Sequence, residues 1–99
     1  MPIQHNVYFD GDVQSVSSVN TAAGGKYSVG IISIGTYHFG TASSERMTVI
    51  NGTVTAKFDG EDDGCWVDYP AGTSFVIPAN SGFDVKATVD TAYHCEYLE

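Results

Sequence analysis

Positive charge is scarce in this chain. Four Lys and Arg stand against twelve Asp and Glu, giving a formal charge of −8 over 99 residues. Nucleic-acid binding needs a basic footprint that neutralises phosphates, so this composition excludes it. An acidic membrane leaflet is disfavoured for the same reason. Long apolar runs are missing too, and nothing approaches the roughly eighteen residues that make a membrane-spanning helix. The amino terminus, MPIQHNVYFDGD, lacks a basic start followed by an apolar stretch. It therefore predicts no secretory signal and a cytoplasmic location. Cysteine is confined to Cys65 and Cys95, with no CxxC spacing. In a cytosolic setting these read as two reduced, partly buried thiols. The length supports one domain, residues 1–99, with one core.

Helical periodicity is also lacking. What the sequence carries instead is turn punctuation about every ten residues. The signals are AGG at 23–25, IGT at 34–36, ING at 50–52, DGEDDG at 59–64, PAG at 70–72, PANSG at 78–82 and VDT at 89–91. Runs rich in Val, Ile, Tyr, Phe and Thr lie between them. Such spacing predicts an all-β sandwich or barrel of about eight or nine strands.

Within the runs, residues alternate as half-buried strands do. Tyr27, Val29 and Ile31 share a face opposite Ser28 and Gly30. Val54, Ala56 and Phe58 share another, as do Phe83, Val85 and Ala87, and Tyr93, Cys95 and Tyr97. Asn51-Gly52 predicts a two-residue hairpin, since both residues tolerate positive φ. DGEDDG reads as a solvated acidic loop, because it lacks a calcium loop's ligand pattern and closing glutamate. Trp66 beyond it reads as a core or dimer contact, and His5 and His94 as surface residues. A barrel this small has edges to manage, which predicts a homodimer.

In SSERMTVINGTVTAKF, residues 43–58, Glu45 precedes an alternating strand and is followed, after six residues, by Gly52. That spacing resembles the back half of the first cupin motif, and Gly72 with Pro78 resembles the second. The resemblance implies a small cupin β-barrel, a double-stranded β-helix. Counting back, the His-x-His pair of a metal-binding cupin falls on His38 and Gly40, or on Phe39 and Thr41. The second motif's glycine and histidine fall on Asn80 and Phe83. Transition-metal cupin sites use imidazoles with a carboxylate. This chain offers at most one histidine there, which predicts a barrel that keeps the glutamate and binds no catalytic metal.

A wider resemblance takes in SVG at 28–30, GTYHFGTASSERMTVINGTV at 35–54, GTSFVIPANSGF at 72–83 and TAYHCEYL at 91–98. Together these blocks resemble the small cupins of the pyrimidine/purine nucleoside phosphorylase family, from Tyr8-Phe9 to the terminal CEYL. The resemblance implies a metal-independent pentosyltransferase with no cofactor. Its substrates are purine and pyrimidine ribonucleosides and inorganic phosphate, and its products are free base and ribose 1-phosphate.

Roles for individual residues come from their chemistry. Glu45 suits the positive charge that develops on a ribose as its glycosidic bond breaks. Histidine as a residue type exchanges protons near neutral pH, so His38 suits protonation of the departing base. Thr41 and Arg46 suit phosphate or ribose, Arg by its bidentate geometry. Phe39, Met47, Phe83 and Tyr93 offer surfaces that would accept any base by stacking. Alternation limits this set: if Glu45 and Met47 point inward, Arg46 points outward, and His38 opposes Phe39. A non-catalytic small-molecule-binding cupin is the alternative that the sequence leaves open.

Overall fold

The computed structural model of the chain describes residues 3–18 and 25–98. Ten strands dominate: β1 (Ile3–Tyr8), β2 (Val13–Ser18), β3 (Tyr27–Ile32), β4 (Gly35–Gly40), β5 (Glu45–Asn51), β6 (Thr53–Phe58), β7 (Val67–Pro70), β8 (Ser74–Ile77), β9 (Gly82–Ala87) and β10 (Thr91–Tyr97). They form two antiparallel sheets, ordered β1-β2-β3-β10-β5-β8 and β4-β9-β6-β7. From β3 onward the chain changes sheet at every connection except β6 to β7. Two sheets stitched in this way share one core, which is the double-stranded β-helix of a small cupin barrel. Among the described residues there is no α-helix, and no helix is long and apolar enough to cross a membrane.

Period-two alternation builds the core. Val13, Ile32, Val49, Val54, Ile77, Phe83 and Val85 are fully buried, and Tyr37, Met47, Phe75 and Tyr93 pack with them. Each large aliphatic or aromatic side chain so buried contributes about 1.5–3 kcal/mol. Ten strands exceed the eight or nine that the turn spacing suggests. The short β7, VDYP, is mostly exposed and carries Asp and Pro, both depleted in strands, so its sequence gives little sign of it.

Several local expectations are corrected. Tyr27, Val29 and Ile31 are 36%, 37% and 55% exposed, and it is Ser28, Gly30 and Ile32 that face inward. The reason lies on β10, whose Tyr93 is the register partner of Gly30. A Cβ on Gly30 would stand 2.8 Å from the Tyr93 hydroxyl and 2.5 Å from the Gln14 carbonyl oxygen. The inner side of β3 is small because tyrosines fill the space.

Asn51-Gly52 does turn the chain, with Gly52 at φ +96°, but β5 and β6 lie in different sheets. The pair forms a corner between layers, not a hairpin. Cys65 is exposed, while Cys95 is buried; both are free thiols. Trp66 is half-buried and covered by Lys86, whose Nζ is 4.1 Å from the ring centre. The turn expected at 23–25 lies mostly outside the described residues.

Candidate active site

Glu45 opens β5, between β10 and β8, where its register partners are Tyr97 and Ile77. Two positions on, Met47 partners Cys95 and Phe75. Alternation along these strands sends Glu45, Met47, Tyr93, Cys95 and Tyr97 into the barrel. There they border a cavity of about 120 Å³ with Tyr8, Ser15, Ser28, Phe39 and Phe83.

One wall is aromatic. The Phe39 and Phe83 rings, brought together by β4–β9 pairing, stack with centres 5.6 Å apart and planes at 27°. Phe9 sets its ring nearly perpendicular to Phe39 at 5.5 Å. It does so from a tight turn after β1 in which Phe9, Asp10 and Gly11 all have positive φ.

The other wall is polar. The Cys95 thiol donates to Glu45, with Sγ 3.4 Å from Oε1. The Ser28 and Tyr97 hydroxyl oxygens stand 3.4 Å apart. Lys26 lies over the Tyr97 ring, its Nζ 4.7 Å from the centre.

Burial governs the titration of this wall, because desolvation disfavours each charged form. Glu45 is raised by burial, partly offset by the Cys95 hydrogen bond and by Lys26. Burial also lifts the Cys95 thiol, and the neighbouring Glu45 charge adds to that. Tyr93 is raised by burial, and Tyr97 is pushed up to about 12, again chiefly by burial. At neutral pH the thiol and both phenols therefore keep their protons, and the thiol donates to the carboxyl group.

Of the sequence candidates, Phe39, Glu45, Met47, Phe83 and Tyr93 meet in this cavity. The other three do not reach it. His38 points out from the four-stranded sheet and bonds Asp59 at 3.0 Å. Arg46 points outward between inward Glu45 and Met47, and its Nη1 donates to Glu96 at 3.2 Å. Thr41 is buried, but its hydroxyl is engaged elsewhere: it donates to the Pro78 carbonyl at 2.7 Å and accepts from the Ser81 amide at 3.0 Å. That places Thr41 as a tie between the chain entering β5 and the turn between β8 and β9.

Ser15, Ser28, Tyr97, Cys95 and Lys26 were absent from the sequence set. Tyr97 and Cys95 carried a signal, since they share Tyr93's face on β10. Ser28 carried none, because alternation set it opposite Tyr27, Val29 and Ile31 without saying which face turns inward.

The interior donor set does not fit a cupin metal centre. All three histidines of the chain are described, and none points into the cavity. Where the motifs would supply imidazoles stand Phe39, Thr41 and Phe83, leaving one carboxyl and one thiol. Asn80, where the motif would place glycine, has φ +55°, which Asn tolerates better than most residues. A larger hollow of about 630 Å³ lies on the outer face of the six-stranded sheet. It is a broad, largely apolar groove floored by Val16, Val29, Ile31 and Ile50, with His5, Asp12, Gln14 and Ser33 also lining it.

Barrel and cavity together define a small cupin whose cavity, among the described residues, is lined by one carboxyl with aromatic rings and hydroxyls. The same barrel is seen in a cupin superfamily protein from Desulfitobacterium hafniense, with a TM-score of 0.66 at 10% identity over 88% of this chain and 78% of that one. That likeness speaks for the fold alone.

Closer likenesses are more specific. The family described as pyrimidine/purine nucleoside phosphorylase matches residues 3–97. A protein of Sorangium cellulosum bearing that name is 46% identical over 96 residues, covering 97% of this chain and 99% of the relative. One of Pseudomonas aeruginosa with the same name is 45% identical over 92 residues, covering 93% and 95%. A Vibrio parahaemolyticus crystal structure of unknown function superposes with a TM-score of 0.88 at 43% identity, covering 97% of this chain and 98% of its own. This chain belongs to the pyrimidine/purine nucleoside phosphorylase family.

Proposed function

We propose that the chain is a nucleoside phosphorylase, a metal-independent pentosyltransferase acting on purine and pyrimidine ribonucleosides. An oxygen of inorganic phosphate bonds to C1′ of the ribose as the bond from C1′ to the base nitrogen breaks. The base leaves with that electron pair and takes up a proton, and ribose 1-phosphate remains. The single observation that carries this reading is the half-buried Glu45 carboxyl facing the aromatic cavity.

In its ionised form Glu45 opposes the positive charge that builds on the ribose, and a site poor in water strengthens that interaction. Phe39, backed by the stacked and buried Phe83, offers ring surface to the base, which suits a broad substrate range because every base has a π-face. Phosphate must be held locally, because the field of a chain with charge −8 opposes an anion. The Ser28 and Tyr97 hydroxyls, with Lys26 beside them, supply the donors and the nearby cation. Pockets for drug-sized ligands run to about 300–1,000 Å³. A cavity of about 120 Å³ therefore takes the ribose, while base and phosphate reach toward its mouth. The protein works as a cytoplasmic, single-domain homodimer in this account.

Chromatography of uridine and inosine incubated with the protein, with and without phosphate, tests the reading. Base release that needs phosphate and yields equal ribose 1-phosphate is the expected result. Release without phosphate would indicate a hydrolase. Saturable nucleoside binding without turnover would select the rival, a non-catalytic small-molecule-binding cupin. That rival draws on the absence of an arginine from the cavity wall.

A further inference from the structure

Three side chains of types that can ligate a metal, His38, Asp59 and Asp84, converge on the outside of the barrel. His38 on β4 and Asp84 on β9 are direct partners across the sheet, and Lys57 on β6 is Asp84's partner on its other side. All three point away from the core, since their successors or predecessors Phe39, Phe83 and Phe58 pack into it. Asp59 follows β6 directly, anchored by its amide to the Gly82 carbonyl at 3.0 Å. Its carboxylate crosses over Gly82 to reach His38, whose Nε2 is 3.0 and 3.1 Å from the two oxygens. Gly82 makes this approach possible. A Cβ there would stand 2.6 Å from Asp59 Oδ2 and 3.0 Å from His38 Nε2. One nitrogen of His38 and one oxygen each from Asp59 and Asp84 lie within 4.8 Å of one another.

We propose that His38, Asp59 and Asp84 bind a divalent first-row transition ion, best matched by zinc, on the outer face of the four-stranded sheet. Zinc takes imidazole nitrogen and carboxylate oxygen at about 2.0–2.2 Å, which sets the ligand atoms of a tetrahedral site about 3.4 Å apart. The cluster needs only a modest contraction to reach that. An imidazole donor favours zinc and its neighbours over magnesium or calcium, which prefer oxygen throughout.

The charges agree with the geometry. Two carboxylates face one ammonium group, Lys57, whose Nζ is 3.8 Å from Asp84 and also donates to the Glu61 carbonyl at 3.2 Å. One negative charge is left over, in a chain whose overall field attracts cations. Lys57 keeps its carbonyl partner when Asp84 turns to the ion. With three protein donors, the fourth position belongs to water, so the ion exchanges with solvent. Bound there, it cross-links β4, β9 and the end of β6. Two of those strands carry Phe39 and Phe83 on their inner faces, so the ion would act as a clamp behind the aromatic wall.

Titration calorimetry with zinc chloride, on chelator-treated protein without a histidine tag, tests this directly. One equivalent is expected to bind. His38→Gln and Asp84→Asn should each weaken it by at least about tenfold, the least that loss of even an outer-shell partner does at metal sites. His5→Gln should leave it unchanged. Added zinc should raise the melting temperature of the wild type and not of Asp84→Asn, because a ligand that binds only the folded state stabilises it. The proposal is overturned by an absence of saturable binding, by binding in His38→Gln and Asp84→Asn as tight as in the wild type, or by binding that depends on His5.

Discussion

The Cys95 thiol donates a hydrogen bond to the Glu45 carboxyl, Sγ to Oε1 3.4 Å, inside the barrel. Burial raises both groups; the Glu45 charge raises the thiol further, whereas the thiol's hydrogen bond offsets part of the rise at Glu45. That pairing makes Glu45 a carboxyl held back from water, ready to respond to charge that develops beside it.

Its cost to stability depends on pH. Glu45 is raised above its ordinary 4.5 in the folded protein, so the folded chain binds this proton more tightly than the unfolded one. The stability contributed by the protonated group is complete below the unfolded value and is lost as pH rises through the folded one. Glu45→Gln, which cannot ionise, should match the wild type near pH 4 and gain melting temperature over it by about pH 8. Thermal melts across that range provide the check, and a difference constant with pH would contradict the account.

The two thiols should differ sharply toward an alkylating agent. Cys65 is exposed, whereas Cys95 is buried and raised, and the thiolate is the reactive form. Mass spectrometry after brief treatment of native protein should find Cys65 modified and Cys95 intact. Both should react once the chain is unfolded.

Gly30→Ala should destabilise the barrel. Its Cβ would lie 2.5 Å from a backbone oxygen of β2 and 2.8 Å from the Tyr93 hydroxyl, and neither gives way easily. Overpacking of a well-filled interior costs about 1–3 kcal/mol, which denaturant unfolding would measure. A loss well under ~1 kcal/mol would mean that Tyr93 is free to move.

The outward apolar residues of β2, β3 and β5 should seat a second copy. Val16 and Val29 are register partners, and Ile31 and Ile50 continue the same exposed face. Light scattering should give twice the chain mass for the wild type and a single chain for Ile31→Lys. A wild-type monomer at micromolar concentration would remove the dimer from the account.

Much of the barrel was legible from alternation and turn residues. Phe83-Val85-Ala87 and Val54-Ala56 face inward as their period suggests. Pattern alone did not say which face of β3 turns inward; Gly30 makes room there for Tyr93, and the Tyr27-Val29-Ile31 face belongs to the surface. It misled at Asn51-Gly52, because a local turn signal cannot say whether the flanking strands pair with each other. For the site, alternation separated Glu45 from Arg46 and Phe39 from His38. It could not bring Ser28 to the cavity or Lys26 over Tyr97, because that depends on which strands become neighbours. Glu45 meets Tyr97 and Cys95 only through β5–β10 pairing, a contact across about fifty residues.

The most direct test compares kcat/KM for uridine at saturating phosphate between the wild type and Glu45→Gln, with ribose 1-phosphate quantified. Removing one group that stabilises transition-state charge in a dry site costs about 10²–10³-fold. A loss of that size in a variant that melts no lower than the wild type is the predicted result. Phosphorolysis at an unchanged rate would contradict the account and take Glu45 out of the chemistry.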